Sequence, residues 1–322
     1  MKMQSSMWSR ICVLLLLSLT MFFLTDGARA DEFVAWEESN STTPATCAAC
    51  PAATQACIGI GRINLMILVT LGAAVVSSIL VRYKTTRRLR PLFLLLSAGI
   101  YGFYLGGCPC PLLGFQQCML SFASGGFMAP VVLWFLAVIA LAWLLGPTWC
   151  GWVCHLGALQ ELLFRFNLKP TTYSKRTIQV LLWVRRVAVL AFALSLVFTG
   201  FAWWENVDPF QTIFNLKTAS VAAIIAALTL ATISLFVYRP FCRTLCPIGM
   251  VSGLMGRLPW AMGPVKQAEC RECPQCRASC RMGAIGQSGA VNRELCIACG
   301  DCLDDCPFNG IAWKRQKMNK KR

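Results

Sequence analysis

The sequence predicts an α-helical polytopic membrane protein, with five transmembrane helices after a signal peptide and a small α+β domain at its C-terminal end. Three observations lead to this prediction. Of the 322 residues, 57% are hydrophobic and only 14% are charged, whereas a soluble domain is about a quarter charged. Basic residues gather in alternate loops between apolar stretches, and eight of the 19 cysteines lie between Cys270 and Cys306. The solvent around most of this chain is therefore expected to be lipid.

The N-terminus has the parts of a secretory signal peptide in residues 1–30. A basic start precedes an apolar core at residues 11–24, and small residues end at Ala30, as a cleavage site requires. The core is too short to cross a bilayer as a helix, which favours cleavage; an uncleaved first helix is the alternative. In either case the polar, cysteine-containing segment of residues 31–62 is expected in the periplasm.

Five apolar stretches follow, each near the length of about twenty residues that crosses a bilayer core. Because lipid offers no partner for unpaired backbone groups, each stretch is expected to be a helix. The predicted spans are residues 63–81, 91–107, 129–148, 187–204 and 219–238.

The loops between these spans alternate in charge. Arg and Lys concentrate between the first and second spans, between the third and fourth, and after the fifth. Such residues mark the cytoplasmic side of a bacterial inner membrane. The membrane domain, residues 63–248, is therefore expected to lead into a cytoplasmic domain of residues 249–322. Since topology accounts for the net charge of +16 and no basic, aromatic-bearing soluble module is present, nucleic-acid binding is not expected.

The C-terminal domain carries two runs of cysteines with the spacing C-x2-C-x2-C-x3-C. In bacterial two-cluster ferredoxins, three thiolates of a run bind one [4Fe–4S] cluster and the fourth binds the other. A zinc site would need only four ligands, and a reducing cytoplasm disfavours disulfides. The spacing therefore predicts a small ferredoxin domain whose clusters transfer single electrons. The predicted ligands are Cys270, Cys273, Cys276 and Cys306 for cluster 1, and Cys296, Cys299, Cys302 and Cys280 for cluster 2.

Two Cys-x3-Cys pairs follow the third and fifth predicted spans, at the cytoplasmic surface. They are Cys150 with Cys154, and Cys242 with Cys246. Residues four apart share one face of a helix, so one helical turn can carry each pair. A third cluster or other metal, redox-active thiols, and a structural role all remain open, because buried free cysteine also behaves as a small hydrophobe. His155 is the only histidine, which excludes a haem held by two histidines of this chain.

Further cysteines and two carboxylates are expected on the outer side. In an oxidising compartment such cysteines favour structural disulfides, with redox-active thiols or a metal site as alternatives. Glu205 and Asp208 lie among aromatic residues at the outer end of the fourth span. Tryptophans there are typical of a membrane interface, and the carboxylates are candidates for taking protons from a quinol. The outer cysteines are Cys47, Cys50, Cys57, Cys108, Cys110 and Cys118.

Over residues 129–313 the chain resembles the NapH/NosR-type membrane-bound 4Fe–4S ferredoxins. The motifs that carry the resemblance are CGWVC at residues 150–154, RPFCRTLCP at residues 239–247, and the ferredoxin tail. The sequence Asp-Pro-Phe from Asp208 is similar to a recurrent element of that family. Two departures are that His155 stands where the family has proline, and that the flavin-bearing periplasmic domain of the NosR type is absent. No flavin is therefore expected.

The resemblance and the cysteine pattern together imply a membrane-bound electron-transfer protein. It is expected to relay electrons between the quinone pool or a cytoplasmic donor and a partner respiratory redox complex. A carrier subunit, including a component of a quinol dehydrogenase, is favoured over a stand-alone enzyme, because no nucleotide-phosphate loop and no nucleophile paired with a base is visible. The alternatives are a transmembrane thiol–disulfide reductant and a redox-active assembly or regulatory factor that handles copper. Donor, acceptor and direction of electron flow stay open.

Overall fold

The computed structural model describes residues 60–107, 110–124, 129–166, 174–200, 208–215 and 221–316. Several predicted features lie outside these residues. They are the signal peptide of residues 1–30, the periplasmic segment as far as residue 59, Cys47, Cys50, Cys57, Cys108 and Glu205.

Helices form nearly all of the described chain as far as residue 255, as the apolar composition predicts. The helices that correspond to the predicted spans are α1 (Ile60–Leu80), α3 (Arg90–Ser97, continued by a π-helical segment at Ala98–Tyr104), α5 (Ala129–Leu145), α7 (Lys175–Thr199) and α9 (Val221–Phe236). Shorter helices between them are α2 (Lys84–Arg88), α4 (Pro111–Ser124), α6 (His155–Phe164, after a π-helical turn at Trp149–Val153), α8 (Pro209–Asn215), α10 (Pro240–Thr244) and α11 (Pro247–Met255).

The helix α7 has the strongest membrane character. It begins after Ser174, whose hydroxyl accepts a hydrogen bond from Arg176 N at 3.3 Å, and it ends at Gly200 with a φ of 61°. Both are regular helix caps. Within the described residues, Arg176–Thr199 is the one stretch long and apolar enough to cross a membrane by length and composition. Shorter apolar helices cover Ile67–Leu80, Val131–Leu145 and Val221–Phe236, so the five-helix topology stays a prediction.

The second predicted span, residues 91–107, is not one straight helix. The helical part of residues 90–104 is only about 22 Å long at 1.5 Å per residue, less than the roughly 30 Å of a bilayer core. Gly106 and Gly107 then take positive φ values of 60° and 84°, which glycine adopts without strain. The chain turns there and continues as α4, which packs against α5 and α7.

The tail forms a small α+β domain, as predicted. Its strands β1 (Met262–Lys266) and β2 (Ile311–Arg315) pair antiparallel, with Met262 opposite Arg315. Between the strands lie two single-turn helices, α12 (Gln275–Ser279) and α13 (Asp301–Asp304). One buried cluster of this domain consists of Cys276, Ile285, Cys302 and Ile311. Two of these four residues are predicted cluster ligands.

Ion pairs join the tail domain to the helical part. Arg87 donates two hydrogen bonds to the carboxylate of Asp304, at 2.9 and 2.6 Å. Arg90 lies 3.7 Å from Asp301. Both arginines belong to the basic loop that the sequence assigns to the cytoplasmic side, so this loop and the tail lie together in the structure.

Candidate functional site

The eight tail cysteines influence one another in two sets of four, and their role as cluster ligands stays a prediction. Burial raises the pKa of the Cys276 thiol, and the other three thiols of its group raise it further. Burial and then the other three thiols of its group likewise raise the pKa of Cys302. In each group the fourth cysteine comes from the opposite run. The groups are Cys270, Cys273, Cys276 and Cys306, and Cys280, Cys296, Cys299 and Cys302.

Backbone amides point at several of these sulfur atoms. Hydrogen bonds to the sulfurs are one means by which a protein sets the potential of an iron–sulfur cluster. A set of four soft thiols with amide donors beside them therefore fits a cubane cluster. The bonds are Gly310 N to Cys306 Sγ at 3.1 Å, Ala284 N to Cys280 Sγ at 3.3 Å, and Ala298 N to Cys296 Sγ at 3.4 Å.

The number of tail thiols fits two iron–sulfur clusters. Across the described residues, no three His, Cys, Asp or Glu side chains are placed to hold one metal ion. A zinc site needs only four ligands, whereas two sets of four thiols are the ligands that two cubane clusters require.

The two Cys-x3-Cys pairs, distant in sequence, meet in one cavity. Its empty volume is ≈ 590 Å³, which includes space open to solvent. All four cysteines of the pairs line this cavity, and a fifth cysteine lines it as well. We call it the five-thiol chamber, defined by Cys110, Cys150, Cys154, Cys242 and Cys246.

Both pairs have the same local structure, which the sequence did not predict. Cys154 and Cys246 are not on one helical turn with their partners: each has an extended backbone and precedes the next helix, α6 or α11. Gly249 N donates to Cys246 Sγ at 3.4 Å, and the backbone of Gly157 makes the equivalent bond to Cys154. A backbone amide thus donates to each of these sulfurs, but burial outweighs it and raises the pKa of both thiols. The sequence signal for this local structure is a glycine three positions after the second cysteine of each pair.

Cys110, which the sequence places among the outer cysteines, shares this cavity with the Cys-x3-Cys pairs. It is a free thiol that lines the chamber. Burial, and next the neighbouring Cys154, raises its pKa. The reason is the turn at Gly106 and Gly107, which directs the chain back into the protein before α4 begins. Nothing in the local sequence around Cys110 indicates this return.

The remaining described outer cysteine, Cys118, is also a free thiol. It lies on α4, two turns beyond the chamber, and packs against the apolar cluster of Leu112, Phe115 and Phe135. It does not line the chamber. Its surroundings are those of an ordinary buried apolar residue.

The chamber shares a wall with the second cysteine group of the tail. Cys296 and Ile297 line the same cavity as the Cys-x3-Cys pairs. Gly151 lies so close to the tail that an added Cβ would overlap Ile297 O, and Trp152 Nε1 donates to Ala298 O at 3.1 Å. The two thiol-rich regions are therefore immediate neighbours.

A buried ion network lies beside the chamber. Glu161 accepts hydrogen bonds from Arg239 at 2.6 Å, Arg90 at 2.7 Å and the Tyr238 hydroxyl at 2.7 Å. Burial alone would raise the pKa of Glu161, but Arg239 and then Arg90 outweigh it and lower the pKa to about 2. Arg239, with a φ of 49°, also donates to Cys150 O. The network thus connects the two Cys-x3-Cys segments directly.

A second buried carboxylate, Glu294, is shared by Arg185, Arg186 and Arg257. Arg185 and Glu294 both line the chamber. The side chain of Arg185 is only 2% exposed, whereas those of Arg186 and Arg257 are 43% and 47% exposed. Positive charge therefore exceeds negative charge around this carboxylate.

Asp208, a predicted quinone-site residue, packs toward the chamber. Its Oδ1 accepts a hydrogen bond from Phe210 N at 2.9 Å, and Phe210 packs against Leu156 and Phe241. Burial raises the pKa of Asp208 to about 6. Asp208 also adds to the raised pKa of Cys110, so the two lie near each other. The helix α8 therefore brings this carboxyl into the protein interior.

His155 follows Cys154 directly and is buried. Its ring packs against Phe214 with the ring centroids 5.3 Å apart. Burial lowers the pKa of His155 to about 4, so the ring is neutral near pH 7. Its Nδ1 has no hydrogen-bond partner among the described residues.

Comparison with known proteins gives a family match at the two Cys-x3-Cys segments. A family model described as a 4Fe–4S binding domain matches residues 127–172 and 219–263. Each matched segment contains one Cys-x3-Cys pair together with the short helix that follows it. The family match therefore falls on the two structural repeats that enclose the chamber.

Several relatives are similar to longer stretches of the chain. The chain is 31% identical over 204 residues to Regulatory protein NosR of Pseudomonas aeruginosa, covering 59% of this chain and 28% of NosR. It is 28% identical over 233 residues to Protein NirI of Paracoccus denitrificans, covering 67% and 34%. It is 30% identical over 171 residues to the methylamine utilization ferredoxin-type protein MauN of Methylobacillus flagellatus, covering 50% and 58%.

The chain is thus similar in sequence to NosR, NirI and MauN over part of their lengths. These matches confirm the resemblance that the motifs predict. The chain spans only 28% of the NosR relative and 34% of the NirI relative. No solved structure matches it.

Proposed function

We propose that this chain is a membrane-bound iron–sulfur protein that relays electrons between the quinone pool or a cytoplasmic donor and a partner respiratory redox complex. The observation that carries the proposal is the gathering of the tail cysteines into two groups of four beside amide donors. When bound there, [4Fe–4S] clusters supply one-electron transfer. The residues that would hold them are Cys270, Cys273, Cys276 and Cys306, and Cys296, Cys299, Cys302 and Cys280.

Exposed apolar side chains support a membrane location. Leu133 on α5, Leu190 on α7 and Leu228 on α9 are 62%, 60% and 64% exposed. Soluble proteins rarely expose large contiguous apolar surfaces, whereas lipid covers them at no cost. The proposed setting is a bacterial inner membrane, with the tail in the cytoplasm and the mature N-terminus in the periplasm, because basic residues contact the tail.

Ion pairs hold the tail against the helical part. Arg87 and Arg90 bind Asp304 and Asp301 of α13. Arg185 binds Glu294, the residue that lies two positions before Cys296. These contacts keep the second cysteine group against the helices, so that transfer between the tail and the membrane part needs no diffusion of the domain.

Asp208 supports the quinone part of the proposal. A quinol that is oxidised releases two electrons and two protons. The buried carboxyl of Asp208, with its pKa raised to about 6, is suited to take one of these protons at Oδ2, since Oδ1 already accepts from Phe210 N. Glu205, the other predicted acceptor, lies outside the described residues.

The test is iron and labile-sulfide analysis of full-length protein purified anaerobically from membranes, followed by EPR after reduction. Cys276→Ser and Cys302→Ser are expected each to remove a different tail signal, while Cys118→Ser serves as the matched control and leaves both. Zinc without labile sulfide in the wild-type protein would refute the proposal. If the clusters are present but no quinol reduces them in membranes, the quinone part fails and a cytoplasmic donor is left.

The alternative of a transmembrane thiol reductant gains one observation. Cys110 is a free thiol in the same cavity as the Cys-x3-Cys pairs, on the chain segment that continues toward the outer side. Alkylation of full-length protein in membranes, before and after reduction with dithionite, tests it. New alkylation of Cys108 or Cys110 after reduction supports this alternative, and an unchanged pattern eliminates it.

A further inference from the structure

We propose that Gln160 and Ser252 are a reciprocal pair of positioning residues, each acting on the first cysteine sulfur of the opposite Cys-x3-Cys repeat. The inference starts from the 4Fe–4S binding that the matched family describes for these segments and assigns the side chains that set its potential in this chain. It rests on the proposed function for the electron-transfer role.

The four cysteines of the repeats fit the group that the family describes. All four line one cavity. Burial raises the pKa of Cys246, and the thiols of Cys242, Cys150 and Cys154 raise it further. Four thiols around one space are the ligand set of a cubane, which supplies one-electron transfer when bound.

The two repeats correspond position by position after their cysteines. Gln160 is the sixth residue after Cys154, and Ser252 is the sixth residue after Cys246. Each lies on the short helix that follows its own repeat, α6 or α11. Gln160 and Ser252 are therefore equivalent residues of the two repeats, although their side chains differ in chemistry.

Each of these side chains reaches a sulfur of the other repeat. Gln160 Nε2 donates to Cys242 Sγ at 3.8 Å, and Ser252 Oγ lies 3.7 Å from Cys150 Sγ. Sulfur is a weak acceptor when neutral, and it becomes a stronger one as it gains negative charge. The first cysteine of each repeat thus has a side-chain partner from across the chamber.

The second cysteine of each repeat has a different kind of partner. Gly249 N donates to Cys246 Sγ at 3.4 Å, and the backbone of Gly157 makes the equivalent bond to Cys154. These amides belong to the first turns of α11 and α6, so they come with the helices themselves. Side-chain control over the sulfurs is therefore concentrated on the two first cysteines.

The orientation of the Gln160 amide is fixed by its other bonds. Its Oε1 accepts from Phe241 N at 3.0 Å, so the NH2 group must be the end that faces Cys242. One hydrogen of Nε2 goes to Leu156 O at 3.0 Å, and the second is left for the sulfur. Gln160 is only 1% exposed, so water does not compete, and Cys242 has a permanent donor.

Ser252 differs, because its hydroxyl has one hydrogen and two acceptors within reach. Ile248 O lies at 2.7 Å, whereas Cys150 Sγ lies at 3.7 Å. The carbonyl is the better acceptor while the sulfur carries little charge, and a more negative sulfur attracts the hydrogen more strongly. Ser252 therefore shares its donor between two groups, whereas Gln160 keeps one hydrogen for sulfur.

These contacts have a consequence for the potential of the bound group. Hydrogen bonds to ligand sulfurs are one means by which a protein sets that potential, because a donor stabilises the more negative, reduced form. Loss of either donor is expected to lower the midpoint potential. The decrease is expected to be larger for Gln160 than for Ser252, whose hydrogen is shared.

The test is a redox titration followed by EPR on full-length protein purified anaerobically from membranes. The signal to follow is the one that persists in both Cys276→Ser and Cys302→Ser, since each of these variants removes a tail signal. Iron and labile sulfide are measured on every sample, so that a shift in potential is separated from a loss of iron.

Gln160→Met keeps the length of the side chain and removes its donor. It is expected to retain the wild-type iron content and to lower the midpoint potential of the persisting signal, with both tail potentials unchanged. The matched control is Gln116→Met on α4: this glutamine is also buried, and its Nε2 has no hydrogen-bond partner among the described residues. The control is expected to leave all potentials unchanged.

Ser252→Ala is expected to lower the same potential by less, and Ser252→Thr, which restores a hydroxyl, is expected to return it to the wild-type value. The matched control is Ser234→Ala. The buried Ser234 hydroxyl donates to Leu230 O at 2.7 Å, the same kind of backbone bond, but Ser234 does not line the chamber. A double variant of Gln160→Met and Ser252→Ala is expected to show the sum of the two shifts, because they act on different sulfurs.

An unchanged midpoint potential in Gln160→Met with full iron content would overturn the proposal. If Gln160→Met loses iron, the comparison of Ser252→Ala with Ser252→Thr decides, and equal potentials in these two variants would overturn it as well. A wild-type protein that shows only tail signals would refute this inference and leave the proposed function intact. Absence of the tail signals alone would instead refute the proposed function of the tail.

Discussion

The tail and the five-thiol chamber both gather cysteines, but they draw them from very different lengths of chain. The tail groups come from one continuous segment between Cys270 and Cys306. The chamber combines two Cys-x3-Cys repeats with Cys110 from a third segment. The regular spacing of its cysteines therefore identifies the tail from sequence. The chamber is recognised only in the structure, where helices from three parts of the chain pack together. Each prediction below tests one side of this difference.

The largest effect is expected from removing a tail ligand. Because Cys276 and Cys302 are buried beside Ile285 and Ile311 in the tail, its fold is expected to depend on its clusters, as in other small metal-dependent domains. Cys302→Ser should remove at least four irons and expose the tail to protease in native membranes. Cys246→Ser should leave the tail resistant. Equal protease sensitivity of both variants would contradict the independence of the two regions.

The ion network beside the chamber comes next. Glu161→Gln removes the carboxylate that Arg239 and Arg90 share, leaving buried cations uncompensated at a cost of about 3–5 kcal/mol. The measurement is the free energy of unfolding in detergent. Glu272→Gln, which breaks an exposed pair with Lys266, is the control, with an expected cost below about 1 kcal/mol.

The same network has a pH signature. The pKa of Glu161 is lowered to about 2 from its ordinary 4.5. A lowered folded-state pKa contributes stability that is present above the unfolded value and is lost as the pH falls. Wild-type stability should therefore decline between about pH 4.5 and 2. In Glu161→Gln this component of the decline should be missing.

Asp208 is expected to act in the opposite direction. Its pKa is raised from 3.8 to about 6 by burial, so ionisation costs up to about 3 kcal/mol, and stability falls as the pH rises between these two values. Asp208→Asn keeps an oxygen for the bond from Phe210 N and should abolish this dependence in unfolding curves measured from pH 4 to 7. An unaltered dependence would mean that Asp208 is ionised and solvated.

The smallest effect is expected from a substitution at the contact between Gly151 and the tail. Gly151→Ala places a Cβ against Ile297 O. Overpacking of this kind lowers the free energy of unfolding by about 1–3 kcal/mol. Hydrogen exchange of the tail segment near Ile297 should accelerate. Gly72→Ala, where a Cβ meets nothing within 4 Å, is the matched control and should leave the exchange unchanged. Faster exchange in both variants would indicate a general loss of stability rather than a change at this contact.

Much of the architecture was predictable because it depends on local pattern. Long apolar stretches became helices, since backbone groups in apolar surroundings must pair within the segment. The grouping of Cys276 with Cys306, although they are thirty positions apart in sequence, followed from the known crossing of ligands between two cysteine runs. The helix α4 and the return of Cys110 were missed, because two positive-φ glycines reverse the chain inside an apolar stretch that composition alone assigns to one span.

The basic residues have two roles, as markers of membrane topology and as partners in ion pairs. The sequence indicated only the first. Arg87, Arg90 and Arg185 were interpreted as markers of the cytoplasmic side, which depends on charge alone. In the structure the same side chains bind Asp304, Glu161 and Glu294. Which carboxylate each arginine meets depends on how the tail docks, and no spacing rule carries that information.

The amino-acid sequence by itself determined the helical class, the ferredoxin-type tail and its eight sulfur atoms, because hydrophobicity and cysteine spacing act over a few neighbouring residues. Only the tertiary structure decided that Cys110 joins Cys154 and Cys246, and that the chamber adjoins Cys296. Those contacts arise when separate helices pack together and shared buried charges hold them in place, and they depend on the geometry of the whole chain.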